Sequence, residues 1–134
     1  MNNVFKFIII SIFCCKQLFA DVVVVNNDQI KELLKSGVSI IDIRTPVEWK
    51  DTGVIPKSNL LTFFDNSGNY NFNKWQKELK KIVSNNDPFV LICRSGRRSA
   101  IVANMISKET NAIIYDANGG INSWINANLK VIQP

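Results

Sequence analysis

Three short segments, residues 39–43 (SIIDI), 89–93 (FVLIC) and 112–116 (AIIYD), are nearly continuous apolar runs with no polar alternation. A strand with one wet face alternates, whereas a strand covered on both faces does not, so these runs predict strands of a parallel sheet with helices on either side. The intervening segments fit that role. Residues 26–37 (NNDQIKELLKSG) place apolar side chains at 30, 33 and 34, with Asn27 or Asp28 as a cap and Gly37 as a stop, and residues 73–83 place them at 75, 79, 82 and 83. Both spacings are those of amphipathic helices. Residues 45–53 read as one or two helical turns with Pro46 at the first position, where a missing N–H costs nothing. Residues 54–63 read as an irregular stretch and a short strand, residues 99–110 as a helix apolar on most faces, and residues 121–128 as a closing helix. The expected architecture is α/β: a parallel sheet of about five short strands with helices on both faces. Such folds bind ligands beyond the carboxyl ends of the strands, and Cys93 stands at one of those ends.

With 134 residues, 46% hydrophobic and 20% charged, the chain has the size and composition of one globular domain. Its first twenty residues have a different character. Lys6 precedes an apolar run from 7 to 15, and the segment ends at Ala20, which resembles a secretory signal peptide. The run is shorter than the roughly 20 residues a bilayer span needs, so no membrane span is expected once the leader is cleaved. The expected division is a leader over 1–20 and a domain over 21–134, with periplasmic or secreted localisation; an uncleaved anchor is the alternative. Beyond the leader the chain carries 14 basic and 11 acidic groups, an excess too small and too dispersed to suggest nucleic acid as a partner.

Cleavage would leave Cys93 as the one cysteine, unable to form an internal disulfide. The next five positions hold Arg94, Ser95, Gly96, Arg97 and Arg98, followed by Ser99 as a plausible cap of the next helix. A tight loop entering a helix turns its backbone N–H groups into a common concavity, and the helix dipole adds positive potential there. Gly96 allows the loop to turn sharply, and the place favours an anion, the thiolate of Cys93 included. The chain has no histidine, so neither a Cys-His nor a Ser-His relay can form, and a usual zinc set is out of reach. Any nucleophile must be activated by the loop itself. No metal or cofactor is expected.

The segment CRSGRRS (93–99) resembles the active-site loop of the rhodanese-like sulfurtransferases, whose cysteine takes a sulfur atom from a donor and passes it on as a persulfide. Residues 40–61, IIDIRTPVEWKDTGVIPKSNLL, are similar to the family's upstream motif, and NGGINSWINANLKVI (118–132) to its closing Gly-Gly and Trp motif. The likeness extends from about Val24 to Ile132. Val54 stands where the family usually has histidine, and Asn128 where glycine is common. The resemblance implies that Cys93 is the nucleophile, that residues 94 to 99 bind the substrate, and that Asp42 and Arg44 support the site. A structural ion pair involving Glu48 is the plainer role for those two, and Trp49 and Trp124 are expected in the core. The implied partners are a small anionic donor such as thiosulfate and a thiol or cyanide acceptor, which could be a protein.

Two other functions fit the same loop. A phosphatase or arsenate reductase needs five residues between cysteine and arginine so that the guanidinium can fork onto a tetrahedral anion. That count falls on Ser99, and Arg98 is one position short. A binding module that carries sulfur without turnover would share every feature above.

Overall fold

The structure, a computed structural model, describes residues 20–84 and 86–134, so all of the expected leader except Ala20 lies outside the described residues. Ten elements alternate along the chain: β1 (Val22–Val25), α1 (Asn27–Lys35), β2 (Ser39–Asp42), α2 (Pro46–Thr52), β3 (Asn59–Leu60), α3 (Phe72–Ile82), β4 (Phe89–Ile92), α4 (Arg97–Ser107), β5 (Ile114–Ala117) and α5 (Gly120–Asn126). The five strands form one parallel sheet in the order β1-β5-β4-β2-β3. The α/β class and the parallel sheet expected from the sequence are what the chain adopts. No helix among the described residues is long and apolar enough to cross a membrane.

Strand β4 shows why the apolar run is continuous: Phe89, Val90, Leu91 and Ile92 are all buried. Successive side chains point to opposite faces. Phe89 and Leu91 join Ile41, Ile43, Trp75, Leu79, Val102, Ala103 and Ile106 under α3 and α4, whereas Val90 and Ile92 join Val25, Ile30, Ile40, Ile121 and Trp124 under α1 and α5. Each such side chain contributes about 1.5–3 kcal/mol by leaving water. A one-residue slip of β4 would exchange the two sets, so its register is fixed, and with it the position of Cys93.

Several local expectations change. The cap of α1 is Asn26, in a capping box with Gln29, rather than Asn27 or Asp28. Strand β1 is an edge strand, which leaves Val22, Val23 and Val24 exposed despite their apolarity. Helix α4 begins at Arg97 with Gly96 as its cap, so Ser99 lies inside the first turn instead of capping it. It is also not buried all round: Ile101 is 56% exposed, because only the face carrying Val102, Ala103 and Ile106 meets the sheet. Trp124 is in the core, its indole N–H donating to the Lys130 carbonyl at 2.9 Å. Trp49 is only half-buried.

Candidate active site

Cys93 follows the last residue of β4, and residues 94 to 96 link it to α4. The link is tight because Gly96 adopts a left-handed conformation, φ 92°. A Cβ there would come within 3.2 Å of the Gly119 nitrogen, so a side chain would push the loop off the turn before α5. Two backbone amides reach the sulfur: Gly96 N–H donates to Sγ at 3.1 Å and Ser99 N–H at 3.4 Å. The Cys93 thiol in turn lies 3.5 Å from the Ser99 hydroxyl, to which it donates. These are the first-turn amides that a helix leaves without internal partners, so the sulfur occupies the anion position at the N-terminus of an 11-residue helix.

From the opposite side, the turn before α5 holds the loop by its carbonyls. Ile121 N–H donates to the Cys93 carbonyl at 2.9 Å and Asn122 N–H to the Arg94 carbonyl at 3.1 Å. Gly120, at φ 60°, packs so closely that a Cβ would collide with the Cys93 carbonyl oxygen and with the Arg94 carbonyl. The Gly-Gly motif therefore exists for backbone contact, and Cys93 is fixed between two helix starts.

The three arginines are not equivalent. Arg98 forks onto Glu48, with contacts of 2.6 and 2.9 Å, while Arg94 and Arg97 are exposed. Glu48 also accepts from the Thr45 N–H at 3.0 Å, completing the capping box of α2. Its hydrogen bond to the Arg98 guanidinium is the main reason the carboxyl is pulled down to about 2, and the same bond raises Arg98. The ion pair clamps α2 to the first turn of α4.

Asp42 and Arg44 stand at the carboxyl end of β2, next to β4, and both are fully buried. The guanidinium meets Asp42 at 2.7 and 2.9 Å, the Thr52 hydroxyl at 2.7 Å and the Gly53 carbonyl at 3.0 Å. A structural pair was expected here, but it is made between Asp42 and Arg44; the Glu48 carboxylate goes to Arg98, and Arg44 touches only the Glu48 carbonyl, at 3.4 Å. Val54 is buried and pairs with Ile132 through two 2.9 Å backbone bonds, an apolar use of the position where histidine is usual. Asn128 takes φ 56°, which explains why glycine is common there and why asparagine suffices.

The sulfur itself is buried: Cys93 is 0% exposed, with Arg94, Ser95 and Arg97 turned outward above it. A cavity of about 30 Å³ lined by Arg44, Glu48, Asp51, Thr52 and Arg94 lies beside the loop, room for about two waters at most. One further ionisable group was not singled out from the sequence. Asp116, on β5, is 6% exposed, its Oδ1 has no hydrogen-bond partner, and its carboxyl is raised because burial penalises the charged form, an effect that the polar Ser99 hydroxyl partly offsets. The signal was present as an acid at the end of the apolar run AIIYD.

Comparison with known proteins agrees with this geometry. The family described as "Rhodanese-like domain" matches residues 26–127. A rhodanese-like domain-containing protein 17 of Arabidopsis thaliana is 24% identical over 114 residues, 82% of this chain and 72% of that protein. Among solved structures, a rhodanese-related protein from Thermoplasma volcanium superposes with a TM-score of 0.66 at 25% identity, covering 84% of this chain and 99% of its own. A polysulfide-sulfur transferase homodimer from Wolinella succinogenes gives 0.65 at 21% identity, covering 84% and 79%, a likeness of fold. With its motifs in order on a matching fold and its cysteine at the start of α4, the chain belongs to the rhodanese-like domain family.

Proposed function

We propose that this protein is a sulfurtransferase that loads a sulfur atom onto Cys93 from thiosulfate or a related sulfane-sulfur donor and passes it to a thiophilic acceptor. The observation that carries this reading is the pair of amides, Gly96 and Ser99 N–H, aimed at Sγ from the start of α4. They favour negative charge on the sulfur both before attack and in the persulfide. The Cys93 thiolate attacks the outer sulfur of the donor; the S–S bond of the donor breaks and sulfite departs with the electron pair. Arg94 and Arg97, exposed on the loop, attract the dianionic donor, and Arg98, held by Glu48, keeps the loop in shape. Because Cys93 is fully buried, the donor reaches it only when residues 94 to 98 move aside.

Loop length favours sulfur over phosphate. After five intervening residues the chain offers Ser99, and the arginine that comes nearest, Arg98, is one position short and already paired with a carboxylate. The buried sulfur also favours a second reading, a carrier that loads but discharges only to a dedicated protein able to open the loop. The leader-like segment at 1–20 supports an exported protein in either case.

Treatment with thiosulfate followed by mass spectrometry tests the main reading: one added sulfur atom is expected, and none in Cys93→Ser. Absence of the adduct with thiosulfate, polysulfide and an aryl thiosulfonate would sink it. Thiocyanate formation from cyanide at saturating thiosulfate separates the two readings, since a carrier loads but turns over slowly.

A further inference from the structure

The two edges of the sheet are built differently. Strand β3, at one edge, is only two residues long. Strand β1, at the other, is a regular run of valines, with Val22, Val23 and Val24 exposed and none of the lysine, proline or bulge that natural edge strands use to repel another strand. Its free backbone groups can be identified. In a parallel pair, alternate residues of a strand direct both N–H and C=O to the same neighbour. The Asp21 and Val25 carbonyls accept from the N–H groups of Ile114 and Asn118, each at 2.9 Å, so Asp21, Val23 and Val25 face β5. Val22 and Val24 turn theirs to the open side, where nothing among the described residues meets them. The backbone on either side is already committed. Ala20 N–H donates to the Ser107 carbonyl at 3.0 Å, while Asn26 N–H donates to Gln29 Oε1 at 2.8 Å and its carbonyl accepts from Ile30 N–H at 2.9 Å.

This pattern is its own complement. In an antiparallel pair of two β1 strands about a two-fold axis, setting Val23 opposite Val23 places Val22 opposite Val24 at both ends, and those are the residues with free groups. Centring the pair on Val22 or Val24 would call on Ala20 or Asn26, whose groups are used, and a one-residue slip would bring side chains of opposite faces together. The side chains agree with the backbone. Val23 shares a face with Val25, which packs in the core, and both border a groove of about 560 Å³ between β1 and α1; Val22 and Val24 lie on the other face. Pairing covers all three exposed valines. Charge agrees as well. Along this groove α1 carries Asp28, Lys31, Glu32 and Lys35, alternating in sign. The two-fold mate of α1 runs the other way on the same face, so Asp28 comes opposite Lys35 and Lys31 opposite Glu32, with no like charges facing.

We propose that β1 is a dimerisation edge: it pairs antiparallel with β1 of a second copy, Val23 opposite Val23, and joins two sheets into one. Each N–H and C=O that Val22 and Val24 leave free in one copy then meets its counterpart in the other. Because the carboxyl ends of all strands in one copy point the same way, the two Cys93 loops open at opposite ends of the joined sheet. The contact is independent of the sulfur-transfer reading and stands or falls without it.

Sedimentation velocity of the full chain over a concentration series tests this. A monomer–dimer equilibrium is expected. Val24→Pro removes the outward N–H without touching the bonds to β5, and Val24→Lys puts a charge at a side chain that is 61% exposed in the single copy. Either should raise the dimer dissociation constant at least about tenfold, and should Val24→Pro fail to fold by circular dichroism, Val24→Lys carries the measurement. Register is read by cross-linking. Directly opposed residues at the axis have Cα atoms about 4.5 Å apart, within disulfide reach, whereas two copies of position 24 are separated by about 8 Å. Val23→Cys should therefore form an intermolecular bridge under mild oxidation, located by mass spectrometry of the linked peptide, and Val24→Cys should not. A chain that stays monomeric up to about 1 mM would overturn the proposal. So would a dimer whose dissociation constant neither substitution moves, or bridging at position 24 that matches or exceeds bridging at position 23.

Discussion

Replacing Glu48 by glutamine isolates the charge that clamps α2 to α4. Glutamine still satisfies the capping box, because its side-chain oxygen can accept from the Thr45 N–H, so what is lost is the ionic bond to Arg98. A carboxyl held at about 2 in the folded chain, against 4.5 ordinarily, corresponds to about 3 kcal/mol of stability at neutral pH. Arg98 and Glu48 remain 29% and 18% exposed, and solvent screening lowers the expected value to about 2 kcal/mol. The folded value lies below the unfolded one, so this stability is fully present above about pH 4.5 and is lost as pH falls toward about 2. Urea unfolding from about pH 7 down to 2 measures it. Wild type is expected to exceed Glu48→Gln by about 2 kcal/mol at neutral pH, with the gap closing between about pH 4.5 and 2. The exposed carboxylates Asp28 and Asp65, also lowered, are common to both proteins and cancel in the difference. A gap that stays constant across this range, or is absent at neutral pH, refutes the clamp as an ionic interaction.

Arg44→Met leaves the Asp42 carboxylate fully buried without a cation and should cost about 3–5 kcal/mol in the same unfolding assay, with Asp42→Leu added in the same chain recovering most of it. Gly120→Ala places a methyl group against the Cys93 and Arg94 carbonyls at φ 60°; it should destabilise the protein by about 2 kcal/mol or more and lower the rate of persulfide formation, whereas Gly68→Ala, with open space around it, should leave that rate unchanged. Asp116 is held above its ordinary value by burial, so its ionisation weakens the fold as pH rises; Asp116→Asn should be more stable than wild type at neutral pH, with the advantage fading below about pH 4.

Much of this was legible because burial on both faces leaves a plain mark. Phe89 to Ile92 could be nothing but an interior strand, and the residues after it had to form the loop on which a parallel sheet presents its chemistry. The spacing of Trp75, Leu79 and Val83 likewise announced the face that α3 buries. Side-chain partners were not legible, since they depend on how helices are set relative to one another. Glu48 sits three residues after Thr45, a visible capping box, but only the approach of α4 brings Arg98 within 2.6 Å of it. The helix start at Arg97 was missed because Gly96 caps through its left-handed backbone while Ser99 offered a more familiar side chain. Asp116 looked like the polar end of a strand; its isolation appears only when β5 is placed between β1 and β4. The exposure of Val22 to Val24 follows from the position of β1 at the edge, which composition does not encode.

The central claim is that Cys93 carries sulfur, and the mass of the intact protein after incubation with thiosulfate tests it most directly. The account predicts one added sulfur atom on the peptide containing Cys93, removed by cyanide or by a thiol and never seen in Cys93→Ser. A protein that remains folded, whose Cys93 can be alkylated, and that takes up no sulfur from thiosulfate, polysulfide or an aryl thiosulfonate would contradict it.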